Sequence, residues 1–222
     1  MAVSWSGGKD SCHLLMRALA AGYRVASLFN LQSRKDGLSL TPPFNPRLLA
    51  LQASALGLPL LRVDAAPSPR RRLREFFRAL KAQGVEAVGC GYIDPAGQRD
   101  CFREAAELAG LRVYEPFCGR GRKGLLRAAL RRGIKALTVG VDGSRADVRL
   151  LGKKVDGRFL KCLELAKVDY CGENGEFHTF VTDCPLFSAR VEPEGGRELP
   201  LGGTRYLYFS RARLREKRGG GA

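Results

Sequence analysis

Six consecutive residues near the start of the chain carry the densest chemistry. Ser6-Gly7-Gly8-Lys9-Asp10-Ser11 supplies two glycines, two hydroxyls, an ammonium and a carboxylate. Glycines let a backbone approach an anion closely. If a helix begins here, its first amides lack intrahelical partners and point at one spot. This is a pocket for phosphate. It follows neither GxxxxGK[ST] nor GxGxxG. A plain strand-to-helix turn capped by serine is the alternative, but such a turn does not require this combination. A second cluster is Gly172-Glu173-Asn174-Gly175-Glu176-Phe177-His178-Thr179. Its carboxylates could hold an ammonium, a trimethylammonium or Mg²⁺, and its histidine could move a proton near neutral pH. On residue types alone, a polar loop entering a strand, with His178 satisfied by backbone, is equally open.

Both clusters must be positioned by regular elements. The apolar stretch Ala2-Val3-Ser4-Trp5 reads as a strand, and Cys12 to Leu19 as a helix. Strands are expected over 23–29, 58–63, 85–90, 111–114 and 134–141. Helices are expected over 46–56, 68–83, 98–109 and 123–132, with a loop over 33–43 and a turn over 94–97. This alternation implies βαβ units and a doubly wound, mostly parallel α/β sheet. Ligands then bind beyond the carboxyl ends of the strands. Asn30 and the 91–97 and 141–145 turns are therefore places for adenine and ribose contacts, although Asn30 and Asp142 are equally ordinary turn formers. Past residue 150 the pattern changes to a helix around 156–166 and short strands at 186–191 and 206–209. We expect a nucleotide domain over 1–150, a smaller unit over 151–210 and a basic, disordered tail over 211–222.

Composition sets limits. A chain of 222 residues, 45% hydrophobic, can bury a substantial core. No apolar run approaches the roughly 20 residues that span a bilayer. A signal peptide is not expected, because the phosphate motif occupies the place of its apolar region. The seven cysteines (Cys12, Cys90, Cys101, Cys118, Cys162, Cys171, Cys184) form no CxxC pair. They read as reduced thiols of a cytoplasmic protein rather than a zinc site. The net charge of +16 favours acidic partners. Nucleic acid is among these but is not favoured: three of the four basic runs lack the interleaved aromatics of a single-strand platform. Arginine preference in the genome would also raise the charge.

SGGKDS after an N-terminal strand resembles the PP-loop of the ATP pyrophosphatases (adenine nucleotide alpha hydrolase-like fold). Combined with the late GE-x-GEFHT and Phe180-Val181, the chain resembles the diphthine–ammonia ligases. Further matches run in order through Thr41-Pro42, Leu51-Gln52, Ala55 to Leu60, Gln98-Arg99, Val113-Tyr114, Val139 to Val141 and Asp183 to Phe187. The likeness covers roughly residues 1–190. It implies an AMP-forming carbon–nitrogen ligase. ATP would adenylate the carboxylate of diphthine, a modified histidine on elongation factor 2. Ammonia would then displace AMP to give diphthamide. Ser6, Gly7, Gly8, Lys9, Asp10 and Ser11 would bind the pyrophosphate end of ATP, with Asp10 toward Mg²⁺. Gln98, Arg99, Glu173, Glu176, Phe177, His178 and Thr179 would face the substrate or ammonia. Lys9, Asp10, Glu176 and His178 would be the catalytic set. A homodimer is compatible with this reading.

The chain also departs from the family pattern. Leu40-Thr41-Pro42-Pro43 stands where His-Thr-Pro-Asn is usual. Cys101 and Arg103 stand where Arg and Glu are usual. The ATP half is thus intact and the acceptor half altered, which leaves another carboxylate acceptor open. The competing reading is a PP-loop tRNA-modifying enzyme, a thiolase or lysidine synthase. Thiolases need a cysteine pair or cluster, and GE-x-GEFHT has no role in them.

Overall fold

The computed structural model describes residues 1–32, 46–66, 68–93 and 98–217, with Gln98 and Arg99 described by backbone alone. The loop expected over 33–43, the turn over 94–97 and the last residues of the chain lie outside the described residues.

Short strands with both faces apolar belong inside a parallel sheet, and such runs open the chain. β1 (Ala2–Ser4), β2 (Ser27–Gln32), β3 (Leu60–Asp64), β4 (Ala87–Gly89) and β5 (Arg112–Tyr114) form a five-stranded sheet in the order β3-β2-β1-β4-β5. Every pairing in it is parallel. The crossovers are α1 (Lys9–Ala20), α2 (Pro46–Leu56), α3 (Pro69–Ala82) and α4 (Gln98–Leu108). Ser68 caps α3 by accepting from the Arg71 amide, with Pro69 at the first helical position. One face of the sheet packs on α3 and α4 through Phe29, Phe76, Phe77 and Phe102. The other face is covered by α1 and α2. The sheet is doubly wound, as the alternation implies.

The strand expected over 134–141 forms, but not in that sheet. β6 (Lys135–Asp142) lies in a second, antiparallel sheet with β7 (Phe177–Asp183), β8 (Ala189–Leu201) and β9 (Thr204–Glu216), ordered β7-β6-β9-β8. Its apolar run would suit either sheet. The choice falls to partners distant in sequence, which periodicity does not reveal. α5 (Arg122–Arg131) precedes it and α6 (Gly157–Ala166) crosses to β7.

The basic tail is also corrected. Residues 211–216 belong to β9, which pairs with β8 from Ala189↔Glu216 to Leu201↔Thr204. Gly202 and Gly203 turn the hairpin with φ of 58° and 85°. Both values are positive, as a two-residue type I′ turn demands. Scattered prolines, glycines and charges hid these long strands from a reading that sought short apolar runs.

One side chain joins the two sheets. Gln52 of α2 is fully buried (0% exposed). Its Nε2 donates to Gly7 O (3.0 Å) and Val181 O (2.7 Å), and its Oε1 accepts from Trp5 Nε1 (3.0 Å). Val181 N also donates to Gly7 O at 2.9 Å. Replacing Gln52 by leucine would strand the Trp5 N–H and the Val181 carbonyl in the core. At about 1–3 kcal/mol for each of the two orphaned groups, we expect Gln52→Leu to lose about 2–6 kcal/mol in urea unfolding. A loss below about 1 kcal/mol would show that this junction does not hold the sheets together.

Candidate active site

The end of β1 leads directly into the first cluster. Trp5 N still donates to Phe29 O in the sheet at 2.8 Å. Gly7 then turns with φ of 79°, and Gly8 caps α1 without a side-chain hydrogen bond. The first intrahelical bond is Cys12 N to Gly8 O, 3.1 Å. The amides of Lys9, Asp10 and Ser11 precede it, so they have no intrahelical carbonyl to bond. Ser6 Oγ donates to Ser11 Oγ (3.2 Å), and Ser11 Oγ lies 3.0 Å from Gly8 O. The loop is thus tied by its own hydroxyls around a helix N-terminus.

The second cluster closes over the first. Lys9 N donates to Thr179 Oγ1 at 3.1 Å, and Lys9 Nζ donates to Cys171 O at 2.7 Å and to Asp10 Oδ2 at 2.8 Å. The ammonium also lies 5.0 Å from the centroid of the Phe177 ring. Lys9 is 2% exposed. Burial opposes its charge, but the Asp10 carboxylate overcomes that and holds its pKa above the ordinary lysine value. A side chain at Gly8 would be tightly placed, since a Cβ would sit 3.1 Å from Thr179 O.

The segment reaching Lys9 is shaped by two carboxylates. Asp169 Oδ1 accepts from the amides of Cys171 (2.8 Å), Gly172 (2.7 Å) and Glu173 (3.3 Å), and Asp169 Oδ2 pairs with Arg122. This aims the Cys171 carbonyl at the ammonium. Gly172 has φ of 76°, and a Cβ there would lie 2.6 Å from Phe177 O. Glu176 turns inward to accept from Asn174 N and Asn174 Nδ2, each at 3.0 Å. Glu173 is exposed as a residue, but its carboxyl is crowded at the pocket rim beside Asp10 and Lys9. Burial of its carboxyl, then the charge of Asp10, pushes its pKa up to about 7.

Strand alternation separates the remaining candidates. Phe177 and Thr179 meet Lys9, whereas the His178 ring stacks on Tyr206 (centroids 5.8 Å apart, 16° between planes). The two rings meet over Gly140, where a Cβ would lie 2.8 Å from Tyr206 and 3.0 Å from His178. Burial, and after it the Lys9 charge, lowers the His178 pKa to about 4, so the ring is neutral at pH 7. Of the sequence candidates, Ser6 to Ser11, Glu173, Phe177 and Thr179 share one site. Glu176 braces its turn and His178 stands on the other face of β7. The Gln98 and Arg99 side chains, and Leu40 to Pro43, lie outside the described residues. Asn30 donates to Trp5 O (2.8 Å), and Asp142 Oδ1 accepts from Ser144 N and Oγ, so both hold local structure. Arg103 donates to the Glu115 carboxylate through Nε at 2.7 Å.

Sequence reasoning missed Asp169, Arg122, Gln52 and Tyr206. Gln52 carried a signal, a lone amide on the buried face of an apolar helix. Asp169 shortly before Gly172 is an acceptor of the kind that folds Asx turns. Arg122 and Tyr206 carried none.

No group of three His, Cys, Asp or Glu able to hold a metal occurs among the described residues. Mg²⁺ that arrives with a nucleotide requires only one or two carboxylates beside the phosphates. Asp10, partly exposed and electrostatically coupled to Glu173, fits that role. No helix among the described residues is long and apolar enough to cross a membrane.

Comparison with known proteins gives consistent matches. Models of the diphthamide synthase N-terminal and C-terminal domains match residues 1–113 and 124–212. The diphthine–ammonia ligase of Bos taurus is 29% identical over 212 residues, covering 84% of this chain and 79% of its own. That of Mus musculus is 28% identical over 243 residues, covering 96% and 91%. That of Homo sapiens is 28% identical over 212 residues, covering 84% and 79%. A solved structure from Methanocaldococcus jannaschii, described as a predicted subunit of tRNA methyltransferase, aligns with 83% of this chain and 98% of its own at 16% identity and a TM-score of 0.46.

The Glu173 environment makes a signed prediction. Its folded pKa, about 7, lies above the ordinary value of 4.5. Its favourable contribution is therefore complete below pH 4.5 and lost as pH rises through 7. Glu173→Gln keeps the neutral form at every pH. The melting temperature of the variant should rise relative to wild type between about pH 5 and about pH 8. A constant difference across that range would show that the carboxyl is not raised.

Proposed function

The chain belongs to the diphthamide synthase family, and from that membership we propose that it is an ATP-dependent amide ligase converting diphthine on elongation factor 2 to diphthamide. One observation carries the reading. Lys9 at the head of the phosphate loop is held through its amide by Thr179 and through its ammonium by Cys171. Phosphate chemistry and the acidic segment thereby share one pocket.

ATP would bind with its pyrophosphate end over Ser6 to Ser11, on the helix N-terminus and the Lys9 charge. An acceptor carboxylate oxygen would attack the α-phosphorus, and the bond to the pyrophosphate oxygen would break. Ammonia would then attack the acyl carbon and lose a proton as the bond to AMP breaks. Acyl-AMP is needed because a carboxylate is a poor electrophile at neutral pH. Mg²⁺, held by Asp10 when bound, would supply positive charge to the phosphate oxygens. Glu173, with its pKa near 7, is the group suited to take a proton from entering ammonium. Glu176 keeps the turn in shape, and His178 with Tyr206 forms an adjacent wall. The work is positioning and charge stabilisation, with no covalent enzyme nucleophile. We assign the reaction to the cytoplasm.

The thiolase alternative is disfavoured by thiol chemistry. Cys171 lies beside Lys9, yet burial, and after it the charge of Asp10, pushes its thiol well above the ordinary value. A thiolate is the reactive form.

The test is product analysis with diphthine-bearing elongation factor 2 and ammonia. AMP and pyrophosphate should form only when both are present, and ADP would overturn the assignment. Lys9→Ala should abolish turnover. Glu176→Ala should keep ATP binding and lose amide product; equal loss of nucleotide binding would refute the division of roles. Added tRNA should not stimulate AMP formation, and clear stimulation would favour the tRNA-modifying reading.

A further inference from the structure

Most arginines of α3 are neutralised by neighbouring carboxylates. Arg71 and Arg72 pair with Glu75, and Arg70 and Arg74 pair with Glu104. One place differs. A cleft of about 500 Å³ opens between α2 and the β8–β9 hairpin, lined by Arg47, Arg62 and Arg211 above Leu48, Leu51 and Ala212. Glu194 also borders it, but its Oε1 is held by Arg213 Nε at 3.0 Å. Among the described residues no ion pair joins a carboxylate to Arg62 or Arg211, although Glu194 stands opposite Arg211 across the hairpin. The cleft therefore combines excess positive charge with an aliphatic floor, and its volume is typical of ligand-sized sites.

We propose that this cleft docks an acidic, aliphatic segment of the protein acceptor, an inference that rests on the ligase reading. Guanidinium forks match carboxylates in geometry as well as charge. The leucine floor would receive aliphatic side chains between them. Single-stranded nucleic acid is a poorer fit, because no aromatic ring lines the cleft to stack a base. The location is suitable. α2 carries Leu48 and Leu51 into the cleft and, beside them, Gln52 onto Gly7 of the phosphate loop. A segment seated there would be held by the same helix that braces the adenylation site. A protein acceptor needs such a footprint, since specific protein contacts bury far more surface than one reacting side chain offers.

The decisive variant is Arg62→Glu with Arg211→Glu, neither residue belonging to the phosphate site. With diphthine-bearing elongation factor 2, we expect KM for the acceptor to rise about tenfold, as charge reversal at an electrostatic docking surface should. KM for ATP and kcat should not change. Arg62→Lys with Arg211→Lys should retain part of the affinity. Should the double reversal fail to fold, Arg62→Gln and Arg211→Gln singly should move KM in the same direction. A fluorescein-labelled peptide of alternating glutamate and leucine supplies a readout without turnover. It should bind wild type, weaken with salt and lose binding in the variant. Unchanged KM, an equal loss of ATP use, no binding of the peptide to wild type or stronger competition by an oligonucleotide would each overturn the proposal. If the peptide behaves as expected but wild type forms no amide on the acceptor, the ligase reading fails and the acidic-segment site stands.

Discussion

A buried ammonium must be met by charge and hydrogen bonds or it does not stay buried. Lys9 imposes that constraint here. Its partners are Asp10, the next residue, and the Cys171 carbonyl from the far half of the chain. Meeting it fixes much else. The Cys171 carbonyl points correctly only because Asp169 gathers three amides behind it. Thr179 reaches the Lys9 amide only in the observed register of β7. A slip by one residue would present His178 instead. Glycine suits position 8 because a Cβ there would crowd Thr179 O at 3.1 Å.

The same constraint explains why two dissimilar sheets behave as one body. The parallel sheet ends in polar backbone at Gly7, and the antiparallel sheet brings the Val181 backbone to it. Gln52 answers both carbonyls and the Trp5 ring nitrogen from a fully buried position. An apolar residue of similar size would fill the space and leave the Val181 carbonyl and the Trp5 N–H unpaired. A polar side chain in an otherwise apolar helix is thus the price of building one site from two layers.

What could be read from the sequence follows contact range. Ser6 to Ser11 act within one turn, so their spacing and flanks reveal them. β1 to β5 were legible because each apolar run is followed by its own crossover helix. β6 was visible as a strand but not as a member of the second sheet, because its neighbours β7 and β9 begin some 35 and 62 residues past its end. The hairpin was hidden although Leu201-Gly202-Gly203-Thr204 carries a turn signal, since charges and Pro193 and Pro200 mask the alternation of its strands. Within the site, residue types identified the acidic segment as a unit. They could not show that the Glu176 carboxylate is occupied by Asn174, or that His178 points away from Thr179.

Those two orientations redistribute the chemistry proposed for this segment. Histidine is the usual candidate for proton transfer at neutral pH. Burial against Tyr206 and the charge of Lys9 instead leave His178 neutral, with a pKa of about 4. Glu173 is shifted the other way, to about 7, by burial and by Asp10. The same carboxylate at Asp10 that stabilises the Lys9 ammonium therefore also brings Glu173 into the range where it can exchange a proton at neutral pH.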